Sequence, residues 1–154
     1  MTSHPTDAEK LSCLLKLAFD NDRSRYDRFC DIVRETVPEA HAAVLRGSAI
    51  TGTRYVDGAP FDADGPGTSD LDVTFVGGDM VMLFREFHIP GEHSVPLSEE
   101  HPFASPPLGP LRDRLCEMSG RAVNLQASAS LVQSLREATM DQPHLVLLKK
   151  PKAD

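Results

Sequence analysis

The pair of acids in Ser69-Asp70-Leu71-Asp72-Val73 is the first place in this sequence where residue type and spacing suggest chemistry. Side chains alternate along a β-strand, so Asp70 and Asp72 face the same way. Two ionised carboxylates on one face repel each other, and Leu71, Val73 and Phe75 keep their surroundings from being fully wet. A divalent cation relieves that repulsion. Hard cations such as Mg²⁺ or Mn²⁺ take oxygen ligands, commonly one or two carboxylates plus the phosphates of a substrate. The same pair also suits a solvated edge strand. Gly47-Ser48 is the second place, directly after the apolar run Ala42-Ala43-Val44-Leu45. Glycine lets the backbone approach a ligand closely. Free N–H groups at a helix start, with a serine hydroxyl, suit phosphate. Gly-Ser pairs also fill ordinary turns.

Other residues are weaker candidates. Arg46 could meet phosphate charge or pair with a carboxylate. Asp62 and Asp64 could add a metal ligand from a Gly/Pro-rich loop, where acids are usually solvated. Arg121 stands where a later strand begins. His88, His93 and His101, with Glu92, are spaced irregularly in a proline-rich stretch and match no zinc-ligand pattern. Lys149, Lys150 and Lys152 could touch RNA, but a basic tail is usually only solvated.

The elements that must position these residues follow from periodicity and punctuation. Thr6 and Glu9 have capping-box spacing ahead of a helix carrying Leu11, Leu14, Leu15 and Ala18. Ser24 is the expected N-cap of a second helix, with Tyr26, Phe29, Cys30, Val33 and Val37 on one face and Pro38 at its end. Residues 42–45 read as a buried strand, 48–69 as a helical turn and then a long loop, and 70–76 as a second strand ended by Gly77-Gly78. A short helix over 79–87 is expected next. Six prolines make 90–110 an irregular loop. A helix carrying Leu111, Leu115 and Met118 ends at Gly120. A strand over 122–125, a helix over 129–140 and a strand over 144–148 complete the chain. The whole is one α/β or α+β domain over 1–154, with a helical part at 1–40 and a small mixed sheet flanked by helices.

Composition narrows the classes. The chain has 154 residues, 40% of them apolar and 25% charged, which excludes a wholly disordered protein. No apolar run is long enough to span a bilayer. The start, MTSHPTDAEK, is polar and acidic and does not read as a leader, so the expected location is cytoplasmic. Three scattered cysteines, Cys13, Cys30 and Cys116, argue against a disulfide framework. A net charge of −7 argues against duplex DNA as a partner, while a small, locally basic nucleotide site stays compatible with it.

Taken together, Leu45-Arg46-Gly47-Ser48, a spacer and Asp70-Leu71-Asp72-Val73 resemble the pattern hG[GS]…[DE]h[DE]h. That pattern marks the nucleotidyltransferase fold of the DNA polymerase beta superfamily. The resemblance implies that Gly47 and Ser48 hold the triphosphate of an incoming nucleotide, with Arg46 and Ser69 beside them. It implies that Asp70 and Asp72 hold Mg²⁺ (or Mn²⁺) for attack of a hydroxyl on the α-phosphate. Two departures stand out: the spacer is long, and Asn124 occupies the place of a third carboxylate. Asparagine offers a neutral carbonyl and cannot act as a base.

The longer arrangement is similar to the nucleotidyltransferase-like domains of bacterial polymorphic toxins and their solitary relatives, over roughly residues 42 to 148. Its motifs read Arg46-Gly47-Ser48-Ala49-Ile50-Thr51-Gly52, Gly58-Ala59-Pro60-Phe61-Asp62, Ser69-Asp70-Leu71-Asp72 and Gly120-Arg121-Ala122-Val123-Asn124. The implied activity is metal-dependent transfer of a nucleoside monophosphate from an NTP to a hydroxyl of RNA, protein or a small molecule. Two alternatives stand beside it: a nucleotide-binding pseudoenzyme, and a toxin–antitoxin or immunity component that acts through a partner protein. If catalysis needs a third acid, Asp62 is the loop acid expected to supply it.

Overall fold

The computed structural model describes residues 6–36, 42–53, 57–89, 92–129 and 144–149. Two helices come first, α1 (Asp7–Ala18) and α2 (Arg23–Thr36). The Thr6 hydroxyl accepts from Glu9 N at 3.1 Å, and the Glu9 carboxylate accepts from Thr6 N at 3.3 Å, which completes the expected capping box. The second helix starts one residue before Ser24. Asp22 Oδ1 accepts from Arg25 N at 3.2 Å, so an aspartate does the work expected of the serine. Pro38, the expected end of this helix, lies outside the described residues.

The rest of the chain builds a mixed sheet: β1 (Ala42–Arg46), α3 (Ser48–Thr51), β2 (Leu71–Val76), α4 (Gly78–Val81), β3 (Phe87–Ile89), β4 (His93–Ser94), α5 (Gly109–Ser119), β5 (Val123–Ser128) and β6 (His144–Lys149). The strand order is β3-β4-β5-β2-β1-β6. β2 runs parallel to β5, and the other named pairs are antiparallel. The fold is thus α+β, with a six-stranded mixed sheet.

Alternation along the strands assigns the faces. Leu71, Val73 and Phe75 on β2 lie level with Val123, Leu125 and Ala127 on β5. These join Leu45, Leu14, Phe19, Phe29, Val33 and Leu115 in one hydrophobic core. Burying each large apolar side chain stabilises by roughly 1.5–3 kcal/mol. That term holds the register of β2, because a one-residue slip would drive Asp70 and Asp72 into the core. Helix α1 packs on α3 and β6, and α2 packs on α5 and β6.

Two expectations change in the middle of the chain. The helix expected over 79–87 is only the four-residue α4, and Phe87 belongs to a strand. Here Met80, Val81 and Phe84 are buried, and the chain then turns away so that Arg85 N donates to Ala104 O at 2.8 Å. The proline-rich stretch is not wholly irregular either. Leu97 exchanges two backbone hydrogen bonds with Leu125, at 2.7 and 3.1 Å, and the buried Ser94 hydroxyl accepts from Ala127 N at 2.9 Å. Proline removes donors, but Val95, Leu97, Ala104 and Leu108 supply enough apolar burial to seat the segment against β5. The helix expected over 129–140 falls almost entirely outside the described residues, as do Lys150 and Lys152. No helix among the described residues is long and apolar enough to cross a membrane. Cys13, Cys30 and Cys116 are free thiols.

Candidate functional site

The C-terminal end of β1 meets the N-terminal ends of β2 and β5 at one end of the strands, in the interior of the sheet. Arg46 stands opposite Asp72 across the antiparallel pair, and Asp72 stands opposite Asn124 across the parallel pair. Parity therefore puts Arg46, Asp72 and Asn124 on one face, away from Leu71 and Val73. Asn124 Nδ2 donates to Asp70 Oδ2 at 3.1 Å and to Asp72 Oδ1 at 3.1 Å. One amide thus bridges both carboxylates. Burial pushes the Asp72 carboxyl up from its ordinary value, and the Asp70 charge adds to this. The Asn124 hydrogen bond and the Arg46 charge pull the other way.

Gly47 closes the site on the β1 side. Its φ of +101° is one that side-chain-bearing residues rarely adopt, and a Cβ built there would lie 3.2 Å from Asp72 Oδ2. Glycine is required here because the backbone passes so close to the carboxylate. The short helix α3 follows at once, so Ser48 stands at the same end of the strands. Arg46 Nη2 donates to Gln126 Oε1 at 3.0 Å, and Gln126 Nε2 donates to Ser94 O at 2.7 Å. This chain of contacts ties β1, β5 and β4 together beneath the carboxylates.

The two motif residues Asp62 and Arg121 meet each other. Arg121 Nη1 and Nη2 donate to Asp62 Oδ1 and Oδ2 at 2.8 and 3.1 Å, and the guanidinium carbon lies 4.6 Å from the centre of the Phe61 ring. Asp62 also accepts from Ser69 N at 2.9 Å and Gly67 N at 3.2 Å. The Arg121 hydrogen bonds, more than any other cause, hold its carboxyl down to about 2. Ser69 is engaged in the same knot, its hydroxyl accepting from Asp62 N at 2.8 Å. The long spacer is thus clamped to the start of β5. Both Asp62 oxygens are occupied by the clamp, which leaves that residue a structural anchor in place of the spare metal ligand or base its loop position suggests. Phe61 and Arg121, members of different glycine-containing motifs, form the clamp's stacked layer.

A cleft of about 430 Å³ opens beside Asp70 and Asn124; Asp72, Gly47 and Ser48 are not among its described lining residues. Asp70, Asn124, His88, Glu99, Glu100 and His101 line it. Sequence spacing gave no reason to join His88 and His101 to Asp70, because the Leu97–Leu125 pairing that brings them together is a long-range contact. His93, grouped with them by sequence, is instead buried in the sheet at 4% exposure. No cluster of three or more His, Cys, Asp or Glu residues suited to a metal occurs among the described residues.

The donor set nonetheless fits a single hard cation. Asp70 and Asp72 converge within reach of one side-chain amide, and half a turn of that amide would present Asn124 Oδ1, a third oxygen donor. No protein-family model, curated protein or solved structure matches the chain.

Proposed function

We propose that this chain is a metal-dependent nucleotidyltransferase. It moves a nucleoside monophosphate from an NTP to a hydroxyl and releases pyrophosphate. One observation carries the reading: the Gly47 backbone approaches Asp72 so closely that a Cβ would lie 3.2 Å from its Oδ2, while Asp70 and Asp72 converge on Asn124. A backbone turn able to bind phosphate and a pair of carboxylates able to hold a cation therefore border one another.

In this reading Asp70, Asp72 and the rotated Asn124 amide hold Mg²⁺ or Mn²⁺, which supplies charge neutralisation and alignment at the α-phosphate. The N–H groups and hydroxyl at Gly47-Ser48 bind the donor's phosphates. Arg46 keeps a positive charge beside Asp72, and its bond to Gln126 holds it in place. The chemistry asked of the protein is positioning and charge stabilisation, as for other phosphoryl transfers.

The acceptor enters through the cleft. Asp70, Glu99 and Glu100 line it, and neither lysine nor arginine is among its described lining residues. That charge favours a protein side chain or small molecule that is neutral or cationic over the end of an RNA. Free thiols at all three cysteines are in keeping with a cytoplasmic setting.

One observation favours a second reading. Asn124 already satisfies both carboxylates with N–H donors, as a built-in substitute for a cation. A pseudoenzyme built this way would bind nucleotide, or a partner protein of a toxin–antitoxin pair, without turnover.

Incubation with each labelled NTP, Mg²⁺ and cell extract separates these readings. The transferase labels an acceptor and releases pyrophosphate, and the D70N/D72N double variant does neither. Nucleotide binding without pyrophosphate release would mark the pseudoenzyme. Absence of nucleotide binding would remove the transferase and the nucleotide-binding pseudoenzyme, and leave only the partner-protein form of the second reading.

A further inference from the structure

A transferase with asparagine at position 124 has no carboxylate there to take the proton from the acceptor hydroxyl. Asp62 does not fill the role, because both its oxygens are held by Arg121 and by backbone N–H groups. We propose that His101, oriented by Glu86, is the general base of this site. The inference rests on the transferase reading given above.

The geometry has three parts. First, His101 lines the same cleft as Asp70 and Asn124. Second, its Nδ1 lies 3.4 Å from Glu86 Oε2. This is an ion-pair approach and not a hydrogen bond; in the proposal, the carboxylate beside Nδ1 favours the tautomer with the proton on that nitrogen, which leaves the Nε2 lone pair to accept a proton. No described residue engages Nε2. Third, the backbone around His101 is fixed. Its N–H donates to Ser98 O at 3.2 Å, its carbonyl accepts from Ala104 N at 3.2 Å, and the neighbouring Leu97 pairs with Leu125. Leu125 follows Asn124 directly, so the turn carrying His101 is tied to the strand that carries the carboxylate bridge. His88 lines the cleft too, but no carboxylate pairs with its ring among the described residues.

The acceptor O–H bond breaks and its proton passes to His101 Nε2. The oxygen's electron pair forms the new bond to the α-phosphorus. The bond from that phosphorus to the bridging oxygen breaks, and its electron pair leaves with pyrophosphate. Glu86 is a positioning residue, since it acts only through the imidazole.

Two measurements on the full chain test the assignment. Imidazole ¹⁵N shifts of the wild-type protein report the tautomer without any turnover. The Nδ1–H form is expected for His101, with a shift toward a tautomer mixture in Glu86→Gln. A wild-type Nε2–H form would overturn the proposal. Extract labelling then compares the wild type with His101→Ala and His101→Gln. Transfer is expected to fall about 100-fold or more in both, within the range that general bases contribute, with Mg²⁺–NTP binding by calorimetry unchanged. Added imidazole is expected to restore part of the rate to His101→Ala, which a purely structural role would not permit. His101 is an exposed turn residue, and thermal melting verifies that the variants fold. If the wild type transfers and His101→Ala keeps its rate, the base assignment falls alone. If the wild type transfers nothing, the transferase reading falls and the base falls with it.

Discussion

Asn124 Nδ2 lies 3.1 Å from an oxygen of Asp72, its register partner on the neighbouring parallel strand, and 3.1 Å from an oxygen of Asp70. The strand pleat creates this triad, because facing residues on β2 and β5 share one side of the sheet. A neutral amide there lowers the repulsion between two carboxylates without adding charge. A third carboxylate in its place would do the opposite.

Asn124→Asp tests that statement. Three carboxylates would then crowd one site, so the metal-free protein should lose about 1–2 kcal/mol, several degrees in Tm. Added Mg²⁺ or Mn²⁺ should restore the loss, and should bind more tightly than in the wild type, because ligand charge sets much of a hard cation's affinity. Thermal melting with and without metal gives both quantities. An unchanged melting curve would mean that position 124 does not face the pair in solution.

Asp72→Asn should separate stability from binding. Burial raises the Asp72 carboxyl, so its ionised form costs the native state free energy at neutral pH. The sign follows from linkage: a raised folded value means that ionised Asp72 opposes folding, and this opposition fades as pH falls through that value. The amide should therefore leave the protein as stable at pH 7 or more stable, by about 1 kcal/mol, while abolishing metal-dependent nucleotide binding. Loss of stability together with binding would overturn the statement that ionised Asp72 opposes folding.

Gly47→Ala should be costly out of proportion to one methyl group. The backbone sits at φ +101°, and the added Cβ would meet Asp72 Oδ2 at 3.2 Å. Strain of about 1–2 kcal/mol is expected from the dihedral alone. Displacement of Asp72 should also weaken metal-dependent nucleotide binding about tenfold or more, a loss readable by calorimetry. Retained affinity would uncouple the turn from the carboxylates.

The Asp62–Arg121 clamp makes an acid-sensitive contribution. Asp62 is held down to about 2 in the folded chain, below the ordinary carboxylate value. A depressed folded value means stability that is fully present above about pH 4 and is lost as pH falls toward 2. Asp62→Asn should remove about 1–2 kcal/mol at pH 7 and flatten the acid limb of the stability curve. Nucleotide binding should change little. A large loss of nucleotide affinity with unchanged stability would return Asp62 to the binding site.

The acidic cleft predicts a salt-dependent preference. Replacing Glu99 and Glu100 together by glutamine should weaken binding of a polyamine such as spermidine at low salt, by about three- to tenfold, with the difference shrinking as salt rises. Stability should change by under about 0.5 kcal/mol, since both residues are exposed. A polyamine affinity indifferent to the substitutions would leave the cleft without charge selectivity.

Local rules were enough for much of this molecule. The capping box at Thr6, the glycine ends of helices, the apolar runs of β1, β2 and β6 and the shared face of Asp70 and Asp72 all depend on residues a few positions apart. Periodicity and turn chemistry act over that distance. The candidate pair and the Gly47-Ser48 turn were therefore legible in the chain itself. Their closeness was not, because it depends on the antiparallel register of Arg46 against Asp72. The partners of Asp62 and Asn124 were equally hidden. A carboxylate in a Gly/Pro loop looks solvated until Arg121, 59 positions away, reaches it, and an asparagine looks like a missing acid until it is seen to bridge two carboxylates. The proline-rich stretch showed the limit most plainly. Proline removes backbone donors, and the long-range pairing of Leu97 with Leu125, with the apolar burial around it, turns that segment into a wall that carries His101 to the cleft. Sequence spacing determined which side chains share a face; long-range strand pairing decided which of them meet, because hydrogen-bond register and apolar burial act between segments that no local pattern connects.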